Sequence, residues 1–162
     1  MSLQRNHIVV LLTLSIAFML DLIILPDSIN WMRPDWLTLI LIYWTMALPR
    51  QVGVFHAFIF GLLMDVSHGA LLGQHALSLV LIIYVIHSVH LRLRVFSLMQ
   101  QMLTLLPLLL IQKIMIFWVY GITEQLPPAS TFFIPAITST LLWPWVFITL
   151  RDLRRRFCKA DL

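Results

Sequence analysis

The chain has 162 residues, 60% of them hydrophobic and 11% charged, with a formal net charge of +4. A water-soluble core of this length has no way to hide so much apolar surface, and the remainder would aggregate. That excludes an ordinary soluble domain and predicts an all-α integral membrane protein, one polytopic domain over residues 1–162, with no nucleic-acid partner.

Six apolar stretches predict six transmembrane helices, at about 8–25, 35–48, 53–73, 76–90, 96–120 and 133–150, and a basic tail over 151–162. The first follows Arg5 and ends Ile24-Leu25-Pro26-Asp27. No small-x-small cleavage site follows, so it is expected to be a retained helix rather than a signal peptide. Trp31 sits in the next outer loop, at interface level. Pro34 is suited to open the second helix, because a first-turn proline forfeits no helical hydrogen bond. That helix covers roughly 20 Å of a ~30 Å hydrocarbon core. It must extend through its prolines, thin the bilayer or sit against protein.

The third predicted helix begins near Gly53 and carries Gly61, Asp65, Gly69 and Gly73 at every fourth residue. On a continuous helix these four form one slowly drifting stripe. The polar run 65–69 is also able to break the helix. The fourth helix leaves through Leu91-Arg92-Leu93-Arg94, and the fifth contains Pro107 and Lys113. An outer loop with Glu124 and Pro127-Pro128 leads to the sixth, which contains Trp143-Pro144-Trp145. The basic tail prolongs it, and its helix is able to continue along the inner leaflet.

Lys and Arg mark the sides of the membrane. Arg5, Arg50, Arg92, Arg94, Arg151, Arg154, Arg155, Arg156 and Lys159 fall on alternate breaks or at the ends. Cytoplasmic loops hold such residues, so both termini are expected in the cytoplasm. Arg33 lies on the opposite side. Arg151, Arg154, Arg155 and Arg156 are candidates for contact with anionic lipid, at on the order of 1 kcal/mol per basic residue, or with a cytoplasmic partner.

Asp65 is the most suggestive polar residue. An aspartate in mid-helix costs roughly 2.5–3.5 kcal/mol on insertion scales, so it should face protein or water. It either packs against a close helix, caps a helix break, couples to a proton or substrate, or meets a partner. Asp21 and Lys113 are the other intramembrane polar candidates, both on the outer half. Lys113 either snorkels outward or pairs with Asp21 or Asp65. His87 and His90 have i, i+3 spacing but lie near the inner interface beside Arg92, with no Cys partner and no H-E-x-x-H, and no G-x-S-x-G occurs, so no metal, no cofactor and no catalytic residue is expected. Cys158 stands alone, which excludes an internal disulfide.

The run Arg33-Pro34-Asp35-Trp36, then Gly53, then Gly61-Leu62-Leu63-Met64-Asp65, then Gly69 and Gly73, with Leu142-Trp143-Pro144-Trp145 near the end, resembles the MreD family in its proteobacterial branch. The resemblance covers essentially the whole chain. It implies a non-enzymatic inner-membrane protein of the bacterial elongation machinery that maintains rod shape. It also implies partners: MreC, MreB, and RodA with its transpeptidase. The family pattern singles out Arg33, Pro34, Asp35, Gly61, Asp65, Gly69 and Gly73 as partner-binding or packing positions. The architecture is similar to the substrate-binding subunits of energy-coupling vitamin transporters, which makes a small-molecule-binding importer subunit the rival function. Against it, the first helix lacks paired small residues for docking an energising module, since Ala17 is followed four residues later by Asp21.

Overall fold

The structure, a computed structural model, describes residues 2–23, 26–30, 32–123 and 128–157. Ile24, Leu25, Trp31, Glu124, Pro127, Cys158 and Lys159 lie outside them, so the roles read for these residues have no structural counterpart. All regular structure among the described residues is helical. Six longer helices are α1 (Ser2–Leu22), α3 (Trp36–Ala47), α4 (Val54–His68), α5 (Gln74–Val95), α6 (Leu98–Ile122) and α8 (Ile134–Phe157). Two four-residue helices, α2 (Asp27–Asn30) and α7 (Ala129–Phe132), lie in the connections, where the sequence suggested only loop.

α3 is the centre of the bundle. Leu37 through Met46 are buried without a break, and the helix touches α1, α5 and α8. A helix apolar on every face belongs inside. Its 12 residues rise about 18 Å, and it meets its short length by sitting against protein. Pro34 stands outside this helix rather than in its first turn, because the N-cap is Asp35.

The third predicted helix, 53–73, is not continuous. α4 ends at His68, and Gly69 takes the left-handed conformation at φ 60°. Gly69 N–H donates to the Val66 carbonyl at 3.4 Å and Ala70 N–H to the Asp65 carbonyl at 3.0 Å, the paired bonds of a Schellman stop. Gly73, at φ 101°, then precedes α5. Both glycines serve a turn that only a residue without Cβ enters cheaply. The expected stripe therefore reduces to Gly61 and Asp65, with the other two glycines in the reversal.

α5 also outruns its predicted span of 76–90 and takes Arg92 and Arg94 into its last turn. A capping box starts α6: Ser97 Oγ accepts from Gln100 N–H, and Gln100 Oε1 accepts from Ser97 N–H. α8 runs through Pro144 and continues to Phe157, so the described part of the basic tail is helix.

The helix faces are distributed unlike those of a soluble protein. On α1, Val10, Leu14, Ala17 and Asp21 are buried, while Ile8, Leu12, Ile16 and Met19 point out. On α6 the inner stripe is Gln101, Leu105, Leu109, Gln112 and Ile116, and the outer face carries Leu103, Ile111, Ile114, Trp118 and Ile122. Aliphatic side chains cover the outer faces as well as the inner ones, and Asp21, Gln101 and Gln112 turn inward, which suits a hydrocarbon solvent. Among the described residues two helices, α5 and α6, are long and apolar enough to cross a membrane.

Candidate functional site

At the end of the bundle where α1 and α4 finish and α3 and α5 begin, two aspartates do the same task. Asp21, near the end of α1, receives Trp36 N–H at 3.2 Å and Leu37 N–H at 2.8 Å, the first turn of α3. Asp65, near the end of α4, receives Gly73 N–H at 2.8 Å, His75 N–H at 2.7 Å and Ala76 N–H at 3.4 Å, the first turn of α5. The N-cap residues Asp35 and Gly73 make no side-chain cap of their own. Each helix is thus capped by a carboxylate from another helix. Free N–H groups and the positive end of the helix dipole make these the favourable places for a buried carboxylate.

Each carboxylate has a second partner. His75 Nδ1 lies 2.9 Å from Asp65 Oδ1, and the His75 ring stacks on His68 at 5.7 Å. Arg33 reaches Asp21 at 3.9 Å and donates to the Leu20 carbonyl at 3.2 Å. Asp65 itself is completely buried.

Lys113 pairs with neither of the acids considered for it. Its Nζ lies 2.8 Å from Asp35 Oδ1 and 5.9 Å from the centre of the Phe132 ring. Asp21 and Asp65 are already engaged by backbone donors, whereas Asp35 presents its carboxylate to α6. Ser139 of α8 accepts from Asp35 N–H at 2.8 Å, and Gln112 donates to Thr38 at 3.3 Å. This network binds α3, α6 and α8 together. In a double-mutant cycle, Asp35→Asn and Lys113→Met should each lower stability by about 1–3 kcal/mol, because each leaves a partly buried partner unpaired. The double variant should cost clearly less than their sum. Additive losses in melting experiments on purified protein would remove the pair as a unit.

A polar cleft of about 180 Å³ opens between these residues, lined among others by Asp21, Arg33, Asp35, His75, Gln112 and Lys113. Gln112 Oε1 and Asp35 Oδ2 are buried there without a hydrogen-bond partner. Among the described residues no three His, Cys, Asp or Glu side chains converge on a metal position.

The remaining singled-out positions have simple places. Gly61 is buried against α5: a Cβ there would overlap the Ala76 Cα and lie 2.8 Å from its backbone nitrogen. Added Cβ atoms at Gly69 and Gly73 would meet nothing within 4 Å. Arg155 and Arg156 are exposed, and Arg151 and Arg154 are half-buried. Gln112, Gln101 and Ser139 were not anticipated. The glutamines carried a legible signal, since a polar residue inside an apolar stretch needs a partner, the argument already made for Asp65. Ser139 carried none.

No solved structure matches the chain. A curated relative from Haemophilus influenzae, rod shape-determining protein MreD, is 37% identical over 146 residues, covering 87% of each chain. The family described as rod shape-determining protein MreD matches residues 3–153. From the first turn of α1 almost to the end of α8, then, this chain belongs to the MreD family of rod shape-determining proteins.

Proposed function

We propose that the chain is a non-enzymatic scaffold of the cell-elongation machinery. It crosses the inner membrane six times with both termini in the cytoplasm, and it supports lateral peptidoglycan synthesis through contact with MreC. MreB, RodA and its transpeptidase are the wider assembly. The observation that carries this reading is the apolar surface: large aliphatic side chains face outward along α1 and α6, while Asp21, Gln101 and Gln112 are buried. Family membership supplies the role in cell shape.

Recognition of MreC is assigned to the outer rim formed by Arg33, Pro34 and Asp35. Gly61, Asp65, Gly69 and Gly73 hold the adjoining α4–α5 hairpin in shape. Arg33 is paired with Asp21 and Asp35 with Lys113, an arrangement suited to a rigid surface rather than to chemistry on a substrate.

The importer reading draws support from the cleft and its two unpartnered acceptors. The cleft's size weighs against it. The cleft holds about 180 Å³, while sites for drug-sized ligands run from about 300 to 1,000 Å³. Deleting the gene in a rod-shaped host should give spherical cells, and tagged protein should retain MreC on purification. Rod-shaped mutants that grow only with an added vitamin would replace the scaffold with the importer.

A further inference from the structure

The opposite end of the bundle holds a second cavity, of about 270 Å³, between the end of α3 and the ends of α5 and α8. Arg94, Arg151 and Arg154 line it, with Tyr43, Met46 and Phe147 among the remaining walls. Among the described residues no acidic side chain lines it.

The three guanidinium groups are not equivalent. Arg94 donates from Nε to the Met46 carbonyl at 2.6 Å and from Nη2 to the Ala47 carbonyl at 2.7 Å. It thereby caps the end of α3, with three of its five N–H donors left over. Arg151 has a buried Nε without a hydrogen bond, and the Asp152 carboxylate stands 3.9 Å from it. Arg154 is half-buried and makes no ion pair or hydrogen bond among the described residues. Three residues apart on α8, Arg151 and Arg154 share one face, which Phe147 continues. The unbonded Nε of Arg151 and the whole guanidinium of Arg154 leave hydrogen-bonding capacity unused, and a phosphate oxygen pair matches their planar fork.

We propose that Arg94, Arg151 and Arg154 form a discrete site for the phosphate of an anionic lipid headgroup. A lipid is favoured over a free phosphate because the walls are mixed. Met46 and Phe147 give an apolar rim. Ile148, one turn before Arg151 on α8, is exposed beside it, so a headgroup held by its phosphate leaves its acyl chains against the aliphatic outer surface of the bundle. The site holds the end of α3, the end of α5 and α8 in one register, so an occupied site stiffens this end of the bundle. Its placement in the inner leaflet rests on the crossing pattern proposed above. That pattern is tested separately by a reporter fused to the carboxyl terminus, whereas lipid retention in detergent does not depend on sidedness.

The test is native mass spectrometry and thermal melting of the full chain in detergent. The probes are phosphatidylglycerol, phosphatidylethanolamine and inorganic phosphate. Phosphatidylglycerol should be retained at least tenfold better than phosphatidylethanolamine and should raise the melting temperature. Arg151→Gln with Arg154→Gln should abolish that preference. Arg155→Gln with Arg156→Gln removes the same charge from outside the cavity and should change it less than twofold. Arg154→Gln alone, at a residue with no bond of its own to lose, should leave the unliganded melting temperature unchanged and still weaken retention several-fold. Equal losses from both double variants would reduce the site to diffuse attraction by the tail and overturn the proposal. So would stabilisation by inorganic phosphate with none by phosphatidylglycerol.

Discussion

Asp65→Ala should leave little folded protein. The substitution strips the acceptor from three backbone N–H groups at the start of α5 and from the His75 ring. An unsatisfied buried donor costs about 1–3 kcal/mol, and loss of a helix cap alone costs about 0.5–2 kcal/mol. These losses overlap, because the four groups share one carboxylate. A total of at least about 3 kcal/mol is expected, a large share of the usual stability of a domain. Asp65→Asn keeps one oxygen and turns the other into a donor facing donors, so a loss of about 1–2 kcal/mol should remain. The comparison separates capping from proton coupling. If Asp65 served coupling, the asparagine variant would melt like the parent and still fail to restore rod shape. Melting in detergent, read beside complementation of a deletion strain, settles which.

Gly61→Ala should damage the same hairpin from the packing side. The new methyl would overlap the backbone of Ala76, which is part of α5 and has no rotamer through which to yield. Overpacking costs about 1–3 kcal/mol even where side chains are able to shift. Here the two helices must separate, so the upper end of that range is expected, and Gly61→Leu should be worse. Gly69→Ala meets no atom within 4 Å and carries only the strain of a left-handed residue at φ 60°. That should cost about 1 kcal/mol. Gly61 therefore ranks well above Gly69 in its effect on yield and melting temperature. The reverse order would mean that α4 and α5 do not meet at Gly61 and Ala76. Loss of MreC on such a substitution would then be secondary to a displaced hairpin, since Gly61 faces α5 and not the outside of the bundle.

The residues legible in advance were those whose cost is local. Asp65 stood out because a carboxylate in an apolar stretch is expensive wherever it lands, and Arg33 because it lies on the side away from the other arginines. Helix ends followed proline and glycine closely: α1 finishes before Pro26, α3 lies between Pro34 and Pro49, and α4 starts after Gly53. The fourth-residue repeat of glycines misled, because the same spacing suits a helix stripe and a two-glycine reversal. What separates them is the sign of φ at Gly69 and Gly73, and a list of residues does not contain it.

The amino-acid order alone determined that the chain is helical and oily, where most of its helices begin, and on which breaks its positive charges fall. These are consequences of hydrophobic run length and of residues that obstruct a helix, both of which act over a few neighbours. The tertiary structure decided the partnerships. Lys113 and Asp35 are 78 positions apart and meet at 2.8 Å. Asp21 and Asp65 begin helices to which they do not belong. Ten consecutive residues of α3 found cover on every side. Which acid meets which base depends on how helices cross and rotate against one another, and that is set by the packing of whole faces, Gly61 on Ala76 among them, rather than by spacing along any one of them.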